Sequence, residues 1–164
     1  MVLGSEGPPS VSRLVLLGGP PGVGKSSAIQ QLSKSGVTCL EADEISPPGI
    51  NEAAELSINR VVLKTEELLS RRDVVILSWV FARSQLYKPF LVHFPDISVR
   101  QLYLVCSIPR LKERLISRNA VDLIEYSIEK LQLINQLPLE KIDTTEMSIQ
   151  DVSDAITHRL TFGV

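Results

Sequence analysis

Eight consecutive residues, Gly19-Pro20-Pro21-Gly22-Val23-Gly24-Lys25-Ser26, match the phosphate-binding pattern G-x-x-x-x-G-K-[ST] without a mismatch. Each residue type has a task in that pattern. The glycines let the backbone turn tightly and aim its N–H groups at a phosphate chain, and the following helix adds its N-terminal amides. Lys25 is placed to reach β- and γ-phosphates, and the Ser26 hydroxyl to ligate Mg²⁺. The expected nucleotide-binding set is Gly19, Pro20, Pro21, Gly22, Val23, Gly24, Lys25, Ser26 and Ser27. The flanks support the motif. Leu14, Val15, Leu16 and Leu17 form an apolar run that reads as a buried strand, and residues 27–32 have helical spacing.

Other side chains stand where phosphoryl transfer would need them. Glu41 and Asp43 directly follow a second apolar run. Two residues apart on an extended strand end, they would point in similar directions. Transfer needs Mg²⁺ to neutralise phosphate charge and an acid to orient or deprotonate the acceptor hydroxyl. Glu41 is the expected metal helper and Asp43 the expected base. Arg110, Arg114 and Arg118 recur every four residues on one predicted helix face. Arg114 and Arg118 are candidates to stabilise the transferring group, whereas Arg110 reads as a surface residue. Arg83 is a candidate to hold an anionic acceptor, with a solvated surface position as the plainer reading. No aspartate ends the third strand, where Ser78, Trp79, Val80 and Phe81 stand. Trp79 and Phe81 read as core or cleft wall.

Apolar runs alternating with helical patterns must position these groups. Strands are expected at 14–17, 37–40, 74–77, 99–105 and 141–143. Helices are expected at 25–34, 51–70, 83–93, 109–118 and 122–137, with Pro47-Pro48-Gly49 as a break. Ser148-Ile149-Gln150-Asp151 reads as a capping box opening a last helix, with Ile149, Val152, Ile156 and Leu160 on one stripe. This alternation predicts a three-layer α/β/α fold, a five-stranded mostly parallel sheet with helices on both faces. Right-handed crossovers then gather the glycine loop, 41–44, 78–83 and the segment after Cys106 at the carboxyl ends of the strands.

The 164 residues suit one domain, read as 13–164 behind a flexible leader at 1–12. With 44% hydrophobic and 22% charged residues, the chain can build a core. A net charge of −2 argues against a general nucleic-acid binder, and no apolar run approaches a membrane span. Cys39 and Cys106 read as buried, reduced residues, which together with the absence of a signal segment points to the cytoplasm.

The segments GGPPGVGKSS, LEADEISPP, VVILSW, IPRLKERLISR and IDTTEMSIQDV resemble the small-molecule kinases of the phosphate-loop class, such as shikimate, gluconate and adenylylsulfate kinases. The resemblance implies ATP and Mg²⁺ as cofactors, with Glu41 supporting the metal and Asp43 contacting the acceptor hydroxyl. It also implies a lid from Asn119 and adenine contacts from Thr144 onward, mainly through backbone. The glycine triplet of shikimate kinase after the third strand is absent. Ser46 stands where gluconate kinase has a histidine. The expected function is Mg-ATP-dependent phosphoryl transfer to a hydroxyl of a small molecule. The alternative is an ATP-binding regulatory module or ATPase without such transfer. A GTP switch is disfavoured, because no N-K-x-D guanine element is present.

Overall fold

Residues 13–47 and 53–161 are described in a computed structural model of the chain. The leader expected at 1–12, Pro48, Gly49 and the expected helix start at Asn51 lie outside the described residues. Five parallel strands form one sheet in the order β2-β3-β1-β4-β5. They are β1 (Leu14–Gly18), β2 (Thr38–Glu41), β3 (Val75–Ser78), β4 (Val99–Val105) and β5 (Glu140–Asp143). Every strand pairing is parallel, so the sheet is wholly rather than mostly parallel.

The inner strands β1 and β3 are buried along their whole length because both faces of the sheet are covered there. Alternate side chains feed two separate cores. Leu14, Leu16, Val75, Leu77 and Tyr103 pack on one face with helices α3 (Ala54–Leu69) and α4 (Ser84–His93). Val15, Leu17, Ile76, Leu102 and Leu104 pack on the other with α1 (Lys25–Lys34), α5 (Ile108–Ser117) and α7 (Ile149–Thr161). Helix α6 (Ile124–Asn135) serves both cores, with Ile134 in the first and Leu131 in the second.

Local chemistry sets the boundaries. Gly36 closes the turn after α1 at φ 89°. Pro109 sits in the first turn of α5, where its missing N–H costs nothing, and the Ser107 hydroxyl accepts from the Arg110 amide. At α7 the capping box is reciprocal: Asp151 N–H donates to Ser148 Oγ at 3.0 Å, and Ser148 N–H donates to Asp151 Oδ2 at 3.1 Å. Pro89 lies inside α4 without ending it. A 3-10 turn at Val121–Leu123 precedes α6, where a continuous helix from 122 was expected.

Two expectations need correction. The chain does not stay extended past β2; a short helix, α2 (Ala42–Ile45), begins directly after Glu41. Asp43 therefore leaves the first turn of a helix rather than a strand end. The two cysteines are free, but only Cys106 is buried and Cys39 is half-buried.

Candidate active site

The glycine loop leaves the central strand β1 and enters α1 at Lys25. Gly24 is the N-cap, at φ 104°, and has no side chain to cap the first turn, which also carries no acid. The N-terminal amides of α1 thus face the loop with no capping side chain bound to them, an arrangement that can take a bound phosphate. Gly22 is required by packing as well as by its φ of 92°: a Cβ there would lie 2.9 Å from Leu111 Cδ1 and 3.0 Å from Leu115 Cγ. Helix α5 therefore presses directly on the back of the loop.

A second support comes from the end of β5. The Thr144 hydroxyl lies 2.9 Å from the Val23 carbonyl and 3.2 Å from the Val105 carbonyl. Arg114 donates to Thr144 Oγ1 at 3.0 Å, to the Thr144 carbonyl at 2.7 Å and to the Val23 carbonyl at 3.3 Å. Loop, α5 and the β5–α7 connection are tied through one guanidinium, whose fixed fork suits several acceptors at once.

Lys25 arches back over the loop and donates to the carbonyls of Gly19 and Pro20. Burial lowers its pKa to about 8, against the pull of Asp43 and then Glu41 towards the charged form; nearby Arg118 lowers it further. The Ser26 hydroxyl donates to Glu41 Oε1 at 2.8 Å. Desolvation raises the Asp43 pKa, reinforced by Glu41 and opposed by Lys25. Strand pairing explains how these groups meet: Glu41 is opposite Ser78, and Ser78 is opposite Leu17 of β1.

Two hollows flank the loop. One, of about 660 Å³, lies between the loop, the ends of β2 and β3, and the start of α6; Lys25, Ser26, Glu41, Asp43, Trp79 and Tyr126 line it. The other, of about 300 Å³, lies between the loop, α5 and the start of α7; Arg110, Arg114, Met147, Ser148 and Ile149 line it. Gly22, Gly24 and Arg118 line both. Arg118 is the C-cap of α5, one residue beyond the helix, so its side chain stands at the junction of the two spaces.

The wall formed after β3 is fixed to the loop. Gly19 N–H donates to the Val80 carbonyl at 3.2 Å. Phe81 is fully buried at φ 48°, a conformation uncommon for a side-chain-bearing residue. Its carbonyl accepts from the Tyr103 hydroxyl at 2.9 Å, and its ring meets Trp79 and Phe90 edge-on. Phe81 is core, and Trp79 is cleft wall.

The structure brings Lys25, Ser26, Glu41, Asp43 and Arg118 together at the loop. It does not bring Arg83 there: Arg83 stands at the N-cap position of α4, and its side chain lies 3.6 Å from Glu129 on the surface. Arg110 pairs with Glu113 at 2.9 Å along α5. Thr144 is buried behind the loop, and the stretch following it reaches the smaller hollow through Met147, Ser148 and Ile149. Ser78 and Tyr126 line the larger space and were not singled out from sequence as site residues. Ser78 had a readable signal, its place at the carboxyl end of a central strand. Tyr126 had none, since it enters from a helix distant in sequence.

Solved structures share the fold. A gluconokinase from Sinorhizobium meliloti 1021 aligns over 88% of this chain and 89% of its own, with TM-score 0.64 and 18% identity. A sugar kinase from Janibacter sp. HTCC2649 aligns over 93% of this chain and 96% of its own, with TM-score 0.69 and 15% identity. This is the fold of the P-loop small-molecule kinases. Shikimate kinase from Acinetobacter baumannii, in complex with shikimate, has the same kinase fold over 91% of this chain and 93% of its own, at TM-score 0.62 and 19% identity. No family model and no curated protein matches the chain. Among the described residues, no helix of this kinase-like fold is long and apolar enough to cross a membrane.

Proposed function

We propose that the chain is a Mg-ATP-dependent kinase that phosphorylates a hydroxyl of a small molecule. The observation that carries this reading is the convergence of Lys25, the Ser26–Glu41 pair and Asp43 where the loop borders the larger cleft. The triphosphate would lie along the amides of the loop and the start of α1, with the nucleoside in the smaller hollow and the acceptor in the larger one. Arg118, lining both, would then face the phosphoryl group as it passes between them.

In the transfer step the acceptor hydroxyl gives its proton to the Asp43 carboxylate. Its oxygen attacks the γ-phosphorus, the bond from phosphorus to the β-bridging oxygen breaks, and ADP leaves. The raised pKa of Asp43 suits a base that must hold that proton. Lys25 exchanges the carbonyls of Gly19 and Pro20 for phosphate oxygens, and a phosphate chain beside it favours its charged form.

A hydroxyl beside one carboxylate fits Mg²⁺, which keeps several waters and completes its shell with phosphate oxygens. When bound between Ser26 and Glu41, the ion would neutralise phosphate charge. One feature favours the alternative of an ATP-binding module without transfer: β3 ends in Ser78, where many phosphate-loop proteins place an acid. Incubation with Mg-ATP and a panel of hydroxyl compounds separates the two. Acceptor-dependent ADP release with a phosphorylated product in the mass spectrum is expected. Tight ATP binding with no product from any acceptor would favour the module.

A further inference from the structure

The larger cleft carries information about its acceptor, on the assumption that the kinase reading holds. Among the described residues that line it, the cations are Lys25 and Arg118. Both belong to the phosphate side: Lys25 is held by loop carbonyls, and Arg118 also lines the smaller hollow. Among the described lining residues the remaining charges are the carboxylates of Glu41 and Asp43, and Arg83 acts on Tyr126 from outside the lining. Arg83, at the start of α4 beside this wall, lies 3.6 Å from Glu129 and does not line the cleft. Recognition of a carboxylate or phosphate ester calls for a cation or a bidentate arginine, and like charges facing each other reject it.

The rest of the wall is apolar and aromatic: Trp79, Val80, Leu86, Leu115, Leu123 and Tyr126. Ser46 and Ser78 supply neutral hydroxyls that can hydrogen-bond a polar acceptor without charge. Apolar walls with a few polar groups favour burial of an apolar skeleton and leave orientation to hydrogen bonds. We propose that the acceptor is an uncharged compound that presents its hydroxyl on an apolar or aromatic skeleton, and that carboxylates and phosphate esters are excluded.

Trp79 is the only tryptophan of the chain, so its emission reports occupancy of this cleft directly. The full chain, saturated with Mg-ADP, is titrated with matched pairs: thymidine against thymidine monophosphate, and hydroxymethylbenzamide against hydroxymethylbenzoate. The neutral member of each pair is expected to change Trp79 emission at a concentration at least about tenfold lower than its anion. Equal or tighter binding of the anions, or no response to either neutral compound, overturns the proposal.

Calorimetric titration of the nucleotide-free chain with Mg-ADP, read beside the acceptor-dependent ADP-release assay, separates this outcome from failure of the kinase reading. Nucleotide binding with a preference for anions sinks the acceptor proposal alone, and no nucleotide binding sinks both. Ala54→Arg adds a cation to the cleft wall at an exposed position in the first turn of α3. It is expected to reverse the preference towards the anionic members. An unchanged preference would show that charge does not select the acceptor, which also overturns the proposal.

Discussion

The hollows on the two sides of the glycine loop are built in different ways. The smaller one has arginines on its walls, and Arg114 spends its hydrogen bonds on the protein itself, fastening Val23 and Thr144. The larger one has carboxylates beside the loop and an apolar wall that comes from segments far apart in sequence. In the proposed reading, one side is a rigid frame for a phosphate chain and what it carries. The other is a chemically undemanding space with two acids at its floor. That division fits a protein in which the donor site is set by a local motif and the acceptor site by tertiary packing.

Lys25→Ala is expected to have the largest effect on this division, because it removes the cation that arches over the loop. Turnover should fall by about 10²–10³-fold or more, measured as ADP release on a variant of unchanged melting temperature. Asp43→Asn should separate the two sides. Transfer slows by about 10²–10⁴-fold while calorimetric ATP affinity is retained. Equal losses in both would assign Asp43 to the nucleotide side instead.

The pH profile sharpens the same contrast. Asp43 must be ionised to accept a proton, so kcat/KM falls on acidification through a pKa above the ordinary carboxylate value of about 3.9. That acid limb should disappear in Asp43→Asn. Lys25 must be charged, so kcat/KM also falls as pH rises through about 8. Bound triphosphate favours the ammonium, so the alkaline limb of kcat should lie higher than that of kcat/KM.

Gly22→Ala tests the frame on which both hollows depend. Backbone strain at φ 92° and the approach to Leu111 and Leu115 should cost about 1–3 kcal/mol, or a melting temperature lower by about 2–4 °C for each kcal/mol. Differential scanning calorimetry reads it, and nucleotide affinity should fall with it. The smallest effect belongs to Arg83→Ala. Its pair with Glu129 is exposed on both sides, so stability should change by no more than about 0.5 kcal/mol and acceptor kinetics should not move.

The uneven legibility of the chain follows the same line. The run at 75–78 and the capping box at Ser148 were readable because their signals are local: continuous burial, and two side chains three residues apart. The glycine loop was readable because its task is done by backbone geometry. Alternation misled at Asp43, since Ala42–Ile45 folds as a helix that no apolar period announces over four residues. Arg114 and Arg118 looked equivalent on a helical wheel. The helix ends at Ser117, and one guanidinium is consumed by Thr144 while the other reaches the junction. Thr144 was expected among the adenine contacts and lies buried behind the loop, and Tyr126 carried no signal, because both positions depend on which distant element packs against them.

The loop's role as a triphosphate cradle is tested most directly by a crystal structure grown with Mg²⁺ and a non-hydrolysable ATP analogue. The expected result is β- and γ-phosphates within hydrogen-bond distance of the amides of Gly22 to Ser26, with Lys25 Nζ moved from the Gly19 carbonyl onto phosphate oxygen. Analogue density away from the loop, or a Lys25 that keeps its carbonyl partners beside a bound nucleotide, would contradict it.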